Sequence, residues 1–128
     1  MKYIELFAGC GGLSVGLESL DYEMVFANEL SPMAGETFAY NLLKENLRQL
    51  ADTKKSTDKV KWISSKFNSN QLSERLRENP QEFPNFSPDK TELGQSLKEL
   101  YGKLIVGSVV ELNKYLTNHK KIIRELQK

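Results

Sequence analysis

Tyr3-Ile4-Glu5-Leu6-Phe7-Ala8 runs directly into Gly9-Cys10-Gly11-Gly12, after which Leu13, Gly16, Leu17 and Leu20 recur at helical spacing. The apolar and aromatic run, the glycine cluster and the helical period read in turn as a strand, a tight turn and a helix. Further along, Glu23-Met24-Val25-Phe26-Ala27-Asn28 has the composition of a second strand. Ser31-Pro32 then offers an N-cap and a first-turn proline to the next helix. That helix is expected to reach about Leu47, because Ala34, Phe38 and Leu42 share one face and no breaker intervenes. Lys103-Leu104-Ile105-Val106-Gly107 is a third strand candidate, and Leu112, Tyr115, Leu116, His119, Ile123 and Leu126 form a helical stripe running to the end. Strands alternating with helices in this order imply parallel strands joined by right-handed crossovers. The expected fold class is therefore α/β, a partial doubly wound parallel sheet.

Between these blocks the pattern dissolves. From about Arg48 to Tyr101 polar residues dominate, with Pro80, Pro84 and Pro88 at four-residue intervals and charged runs such as Asp52-Thr53-Lys54-Lys55. The expectation is a long insertion with helical pieces near Leu72 to Glu78 and Leu93 to Leu100, part of it docked through Trp62, Ile63 and Phe67. A loop of this length is unusual inside a compact domain and reads as an appendage or a mobile segment. The chain thus divides into a core at 1–47, a polar insertion at 48–101, partly helical or mobile, and a third strand with an amphipathic helix of the same domain at 102–128.

Composition narrows the function. With 128 residues, 39% hydrophobic and 27% charged, and a net charge of +1, the chain reads as one soluble globular domain or a fragment of one. It lacks the run of about 18 apolar residues that a spanning helix needs, so no membrane is expected. The single cysteine excludes an internal disulfide and a multi-cysteine zinc site, and points to a reducing compartment, the cytoplasm. Phe7-Ala8-Gly9-Cys10 has the look of a lipoprotein cleavage site, but nine residues precede the cysteine and Glu5 interrupts them, too little for a signal peptide. His119 has no companions at ligand spacing, so it reads as a packed or edge residue, and no metal is expected. Residues 1–50 carry three basic and seven acidic side chains, which argues against that segment gripping phosphates. The basic residues Lys114, Lys120, Lys121, Arg124 and Lys128 suit nucleic acid, but read first as a solvated helix face.

The chemistry lies where strand ends converge. Ligands bind beyond the carboxyl ends of parallel strands, where Gly9-Cys10-Gly11-Gly12, Asn28-Glu29-Leu30 and Gly107-Ser108-Val109 meet. Glycines let the backbone pass close under a ligand, and Glu29 stands where it can accept hydrogen bonds from the two hydroxyls of a ribose. A nicotinamide or flavin dinucleotide wants Gly-x-Gly-x-x-Gly, but Ser14 occupies the third glycine position. S-adenosylmethionine has no pyrophosphate to cradle, and a compact turn suits its aminocarboxypropyl chain. Glycines that merely tighten a turn are the bland alternative.

Ile4 through Glu18, Phe26-Ala27-Asn28-Glu29, and Pro32, Ala34, Thr37 and Asn41 together resemble the opening of the bacterial DNA (cytosine-5)-methyltransferases. The resemblance covers residues 3–47, with a weaker match at Gly107 to Leu112. It implies the fold of S-adenosylmethionine-dependent methyltransferases, in its N-terminal portion. It also implies that Phe7, Ala8, Gly9, Gly11 and Gly12 wrap the methionine end, with Cys10 a small residue lining the turn. Glu29 then holds the ribose, Leu30 packs on the adenine face, and Ser108 and Val109 lie at the adenine. The family usually has Asp where Glu5 and Ser108 stand. Its mechanism needs a cysteine in Pro-Cys-Gln and a glutamate in Glu-Asn-Val, and neither motif occurs in these residues. No catalytic residue is therefore assigned. The expectation is the cofactor-binding N-terminal part of a restriction-modification DNA (cytosine-5)-methyltransferase, stopping before the catalytic loop and the target-recognition domain. It would meet DNA through the complete enzyme, with a complementing polypeptide bringing the cysteine. The alternatives are a catalytically silent S-adenosylmethionine- or partner-binding module and an oxidoreductase fragment.

Overall fold

The computed structural model describes residues 1–82 and 91–128. Four strands form one sheet in the order β1-β2-β4-β3, every neighbouring pair parallel. They are β1 (Lys2–Leu6), β2 (Glu23–Glu29), β3 (Val60–Trp62) and β4 (Lys103–Val106). The helices are α1 (Gly12–Glu18), α2 (Pro32–Leu42), α3 (Leu47–Asp52), α4 (Leu72–Leu76), α5 (Leu97–Leu100), α6 (Val109–Asn118) and α7 (Lys120–Leu126). Both faces of the sheet are covered, as a parallel sheet requires. On one face Phe38 and Ala39 of α2, Leu47 of α3 and Leu72 and Leu76 of α4 bury Ala27, Val60, Trp62, Leu104 and Val106. On the other, Leu100 of α5, Leu112 of α6 and Ile122 of α7 bury Phe26, Ile63 and Ile105. This is the α/β, doubly wound parallel architecture expected from the sequence.

Two helices end earlier than their apolar spacing predicts. The helix opened by Ser31 and Pro32 stops at Leu42, because Lys44 turns left-handed (φ +55°) and Asn46 starts a new helix by accepting the Gln49 N–H at 3.0 Å. Leu47 therefore belongs to α3, where it is buried. The C-terminal stripe divides at His119, whose ψ of 70° leaves the helical region. Its imidazole stacks on Tyr115 at 4.0 Å between centroids, with Nδ1 2.7 Å from the Tyr115 carbonyl oxygen. Lys114, Lys120, Lys121, Arg124 and Lys128 are exposed.

The sequence predicts three strands, and the fourth is the main correction. β3 lies inside the stretch read as insertion and spans three residues flanked by Lys59, which is too short for an alternation signal. Trp62 and Ile63 are buried as expected, and Phe67 is half-buried. Of the prolines in this region, Pro80 opens a single 3-10 turn, Pro80–Glu82, while Pro84 and Pro88 lie outside the described residues.

The segment after β3 is knit by a buried cation. Arg75, 2% exposed, donates from Nε and Nη2 to the Phe67 carbonyl at 3.0 and 2.9 Å, pairs through Nη1 with Glu92, and lies over the Trp62 ring at 5.1 Å. Glu78 accepts from the Ser65 hydroxyl and the Lys66 N–H, both at 2.7 Å. Burial pushes the Arg75 pKa down, and Glu92 and Glu78 oppose it. Removing one partner of such a pair strands the other charge. Arg75→Ala is therefore expected to lower the unfolding free energy by about 3–5 kcal/mol in urea denaturation. A loss within about 0.5 kcal/mol, the level of an ordinary surface substitution, would contradict the network.

Candidate functional site

The carboxyl ends of β1, β2 and β4 come together through main-chain bonds. The Ala8 N–H donates to the Asn28 carbonyl and the Gly107 N–H to the Glu29 carbonyl, each at 2.9 Å. The buried Asn28 amide adds bonds to the carbonyls of Ile105 (2.9 Å) and Gly107 (3.1 Å), fastening β2 to the end of β4. Glu29 joins the remaining pieces. Its Oε2 accepts the Gly9 N–H at 2.6 Å and its Oε1 the Ser31 N–H at 3.0 Å.

The glycine turn is built by conformations that side chains resist. Gly9 has φ +56° and Gly11 φ +94°, in the left-handed region that glycine enters without steric cost. A Cβ on Gly11 would stand 2.6 Å from Leu42 Cδ1 and 3.1 Å from Phe38 Cδ2, so this glycine lets the turn lie on α2. At Gly9 and Gly12 a Cβ would meet nothing within 4 Å. Those two glycines leave open space above the backbone, and packing does not explain them. Beneath the turn the Ser14 hydroxyl donates to the buried Glu5 carboxylate, tying α1 to β1.

Around this opening lie apolar side chains that the core does not use. Phe7 is 76% exposed and sits at φ +58°, a strained conformation for a residue with a Cβ. Leu30, just past β2, is 42% exposed. Ala8 is buried under the turn, while Cys10 is exposed on it. Ser108 caps α6 by accepting the Val110 N–H at 3.2 Å, which places Val109 as the first residue of that helix. The structure thus brings the glycine turn, Glu29 with Leu30, and Ser108 with Val109 to one end of the sheet.

Comparison with known sequences decides the family. The family model described as C-5 cytosine-specific DNA methylase matches residues 1–68, more than half of the chain. The chain belongs to this family. Among its relatives is the type II methyltransferase M.FnuDI of Fusobacterium nucleatum, 37% identical over 54 residues, covering 39% of this chain and 16% of the relative. Another is the type II methyltransferase M.NgoPII of Neisseria gonorrhoeae, 45% identical over 47 residues, covering 37% of this chain and 14% of the relative. The chain therefore spans about a sixth of the length of these relatives. No solved structure gives a significant match.

Within this C-5 cytosine-specific methylase sequence, some site-forming residues carry no sequence signal of their role. Asn28 stands in the sequence at a strand end beside Glu29, but its clamp on β4 gives no local signal, since its partners lie 77 and 79 residues away. Gly35 lets α2 lie against β4, where a Cβ would come 3.2 Å from Val106 Cγ2 and 3.3 Å from Leu104 Cδ2. Gly107 has φ +143°, and a Cβ there would stand 2.6 Å from the Ile63 carbonyl oxygen. Among the described residues no group of three His, Cys, Asp or Glu could hold a metal ion. No described helix is long and apolar enough to cross a membrane.

The glycines make a contrast that can be measured. Gly9→Ala is expected to cost only the left-handed penalty of roughly 1–2 kcal/mol, and Gly107→Ala distinctly more, because its Cβ meets backbone. Equal losses in chemical denaturation would show that Gly107 is not held against Ile63.

Proposed function

We propose that this chain is the S-adenosylmethionine-binding, N-terminal part of a DNA (cytosine-5)-methyltransferase of restriction-modification type. The observation that carries the proposal is the open glycine turn facing Glu29. Gly9 and Gly12 leave room where a Cβ would stand, and the Glu29 carboxylate is bonded to the Gly9 N–H of the same turn. Phe7, Ala8, Gly9, Cys10, Gly11 and Gly12 wrap the methionine end, and Glu29 holds the ribose hydroxyls. A carboxylate offers about four acceptor positions, so the two used by backbone leave capacity for a diol. Leu30 covers the adenine face. Val109 borders the ring, and the second lone pair of the Ser108 hydroxyl receives the adenine amino group. When bound, S-adenosylmethionine supplies an electrophilic methyl group for carbon 5 of cytosine.

The nucleophile comes from elsewhere. Pro-Cys-Gln is absent from these 128 residues, and Cys10 lies in the cofactor turn, away from the path of a flipped base. A segment bearing that motif, outside these 128 residues, completes the enzyme and its hold on DNA. The two sheet edges favour β1 as the place of attachment. On β3 the Trp62 carbonyl accepts the Glu92 N–H at 2.9 Å, and Thr91 Oγ1 accepts the Ser64 N–H at 3.2 Å, so that edge is covered. Among the described residues β1 pairs only with β2, and it exposes Ile4 by 40% and Leu6 by 46%. An uncovered apolar edge of this kind invites a further strand. The lone exposed thiol suits a reducing cytoplasm.

Calorimetric titration of the folded chain tests the cofactor assignment. Saturable binding of S-adenosylmethionine, and none of a nicotinamide dinucleotide, is expected; the reverse preference would overturn the assignment. Cytosine methylation should require an added segment carrying Pro-Cys-Gln, so methylation by these 128 residues alone would refute the division of labour.

A further inference from the structure

Glu29 does more in this structure than border a ligand. Its side chain holds the backbone N–H of Gly9 in the turn after β1 and that of Ser31 at the start of α2, while its own carbonyl accepts the N–H of Gly107 after β4. One residue thus fastens three separate chain segments at the mouth of the site. From this geometry we infer that Glu29 is a positioning residue for the glycine turn, setting the backbone of Gly9 independently of any contact with ribose hydroxyls.

The physical need is specific to this turn. Gly9 has no Cβ and sits at φ +56° with nothing within 4 Å of its Cβ position, so no side-chain packing holds it in place. Glycine also loses more conformational freedom on ordering than any other residue. The neighbouring bonds are Ala8 N–H to the Asn28 carbonyl and Gly11 N–H to the Ala8 carbonyl at 3.1 Å; the second closes a turn with Gly9 and Cys10 at its centre but leaves the Gly9 N–H free for another partner. The N–H of Gly9 itself is held by Glu29. Hydrogen bonds to an ionised acceptor are among the strong ones, and this carboxylate is anchored on its other oxygen by Ser31, whose hydroxyl caps α2 by accepting the Ala34 N–H at 3.4 Å. The cradle is therefore set before a ligand arrives, and a preorganised site spends less of its binding energy on ordering. An acidic residue that only met the diol would leave the turn to be ordered by the ligand.

Two measurements separate these roles. The first is amide hydrogen exchange by NMR on the whole chain without added ligand, comparing the wild type with Glu29→Ala and Glu29→Gln. Gly9 and Ser31 should exchange at least about tenfold faster in Glu29→Ala, the scale of a hydrogen bond to a charged group, while core amides of β2 and β4 stay protected. Glu29→Gln, with one acceptor oxygen in place of two, should restore protection at one of the two amides. Unchanged exchange at Gly9 in a folded Glu29→Ala chain would overturn the inference. Should Glu29→Ala fail to fold, full protection of both amides in Glu29→Gln would overturn it equally.

The second measurement rests on the proposed cofactor and compares S-adenosyl-L-homocysteine with its 2′,3′-dideoxy analogue. Glu29→Ala should weaken binding of the dideoxy analogue too, by about tenfold, because the turn is lost as well as the diol contact. Equal binding of that analogue by wild type and Glu29→Ala would mean that Glu29 acts only through the hydroxyls. If the wild type binds neither ligand, the cofactor assignment fails, and the exchange data still decide the positioning role.

Discussion

The carboxylate of Glu29, shared between the Gly9 and Ser31 amides, is the constraint on which the site depends. It exists because β2 runs through the interior of the sheet with β1 and β4 on its two sides. Met24 through Asn28 are buried in succession, so the strand is held along nearly its whole length and delivers its last residue to the surface at a fixed position. Parallel pairing then brings the ends of β1 and β4 to the same side. Main-chain bonds from Ala8 and Gly107 close on the end of β2, and the Asn28 amide locks the β4 side. A charged side chain held by so many bonds is a rigid support for the flexible turn beside it.

The two halves of the molecule are stabilised differently. Around β2 and β4 the work is apolar: Phe26, Phe38, Leu104, Ile105 and Leu112 are essentially removed from water, and burial of such side chains is worth roughly 1.5–3 kcal/mol each. In the segment following β3 a single buried arginine organises the chain. Arg75 faces the Trp62 ring, the Phe67 carbonyl and Glu92, thereby drawing residues on both sides of α4 against the sheet. The polar composition that makes this stretch look like an insertion is thus partly the composition of an internal hydrogen-bond network. Through Thr91 and Glu92 the same segment covers one sheet edge, while among the described residues β1 pairs only with β2.

Family membership and geometry meet at the glycine turn. The match to C-5 cytosine-specific DNA methylases covers β1, the turn, β2, α2, α3 and β3, ending at residue 68. The site needs one more piece, the β4 end with Gly107, Ser108 and Val109, which lies outside the matched residues and is brought in by the sheet. Between residue 68 and that end lies the Arg75 segment, and β4 pairs with β2 on one side and β3 on the other.

Local chemistry was legible in the sequence. A glycine cluster after an apolar run, Ser31 ahead of Pro32, and Glu29 at a strand tip each announce themselves through neighbouring residues, because turns, caps and strand ends are decided within a few positions. The family resemblance was carried by the same short stretch. What the sequence could not show depends on partners far along the chain. Val60–Trp62 is a strand only because β4 lies beside it, and Asn28 is structural only because Ile105 and Gly107 come within reach. The helix breaks at Lys44 and His119 interrupt apolar stripes that spacing alone would have continued. The amino-acid sequence by itself therefore determined the strand-turn-helix opening, the parallel α/β class and which segments gather at one end of the sheet. Tertiary structure alone decided the fourth strand, the Arg75 network and the grip of Glu29 on Gly9, since each is a contact between segments that only the assembled sheet brings together.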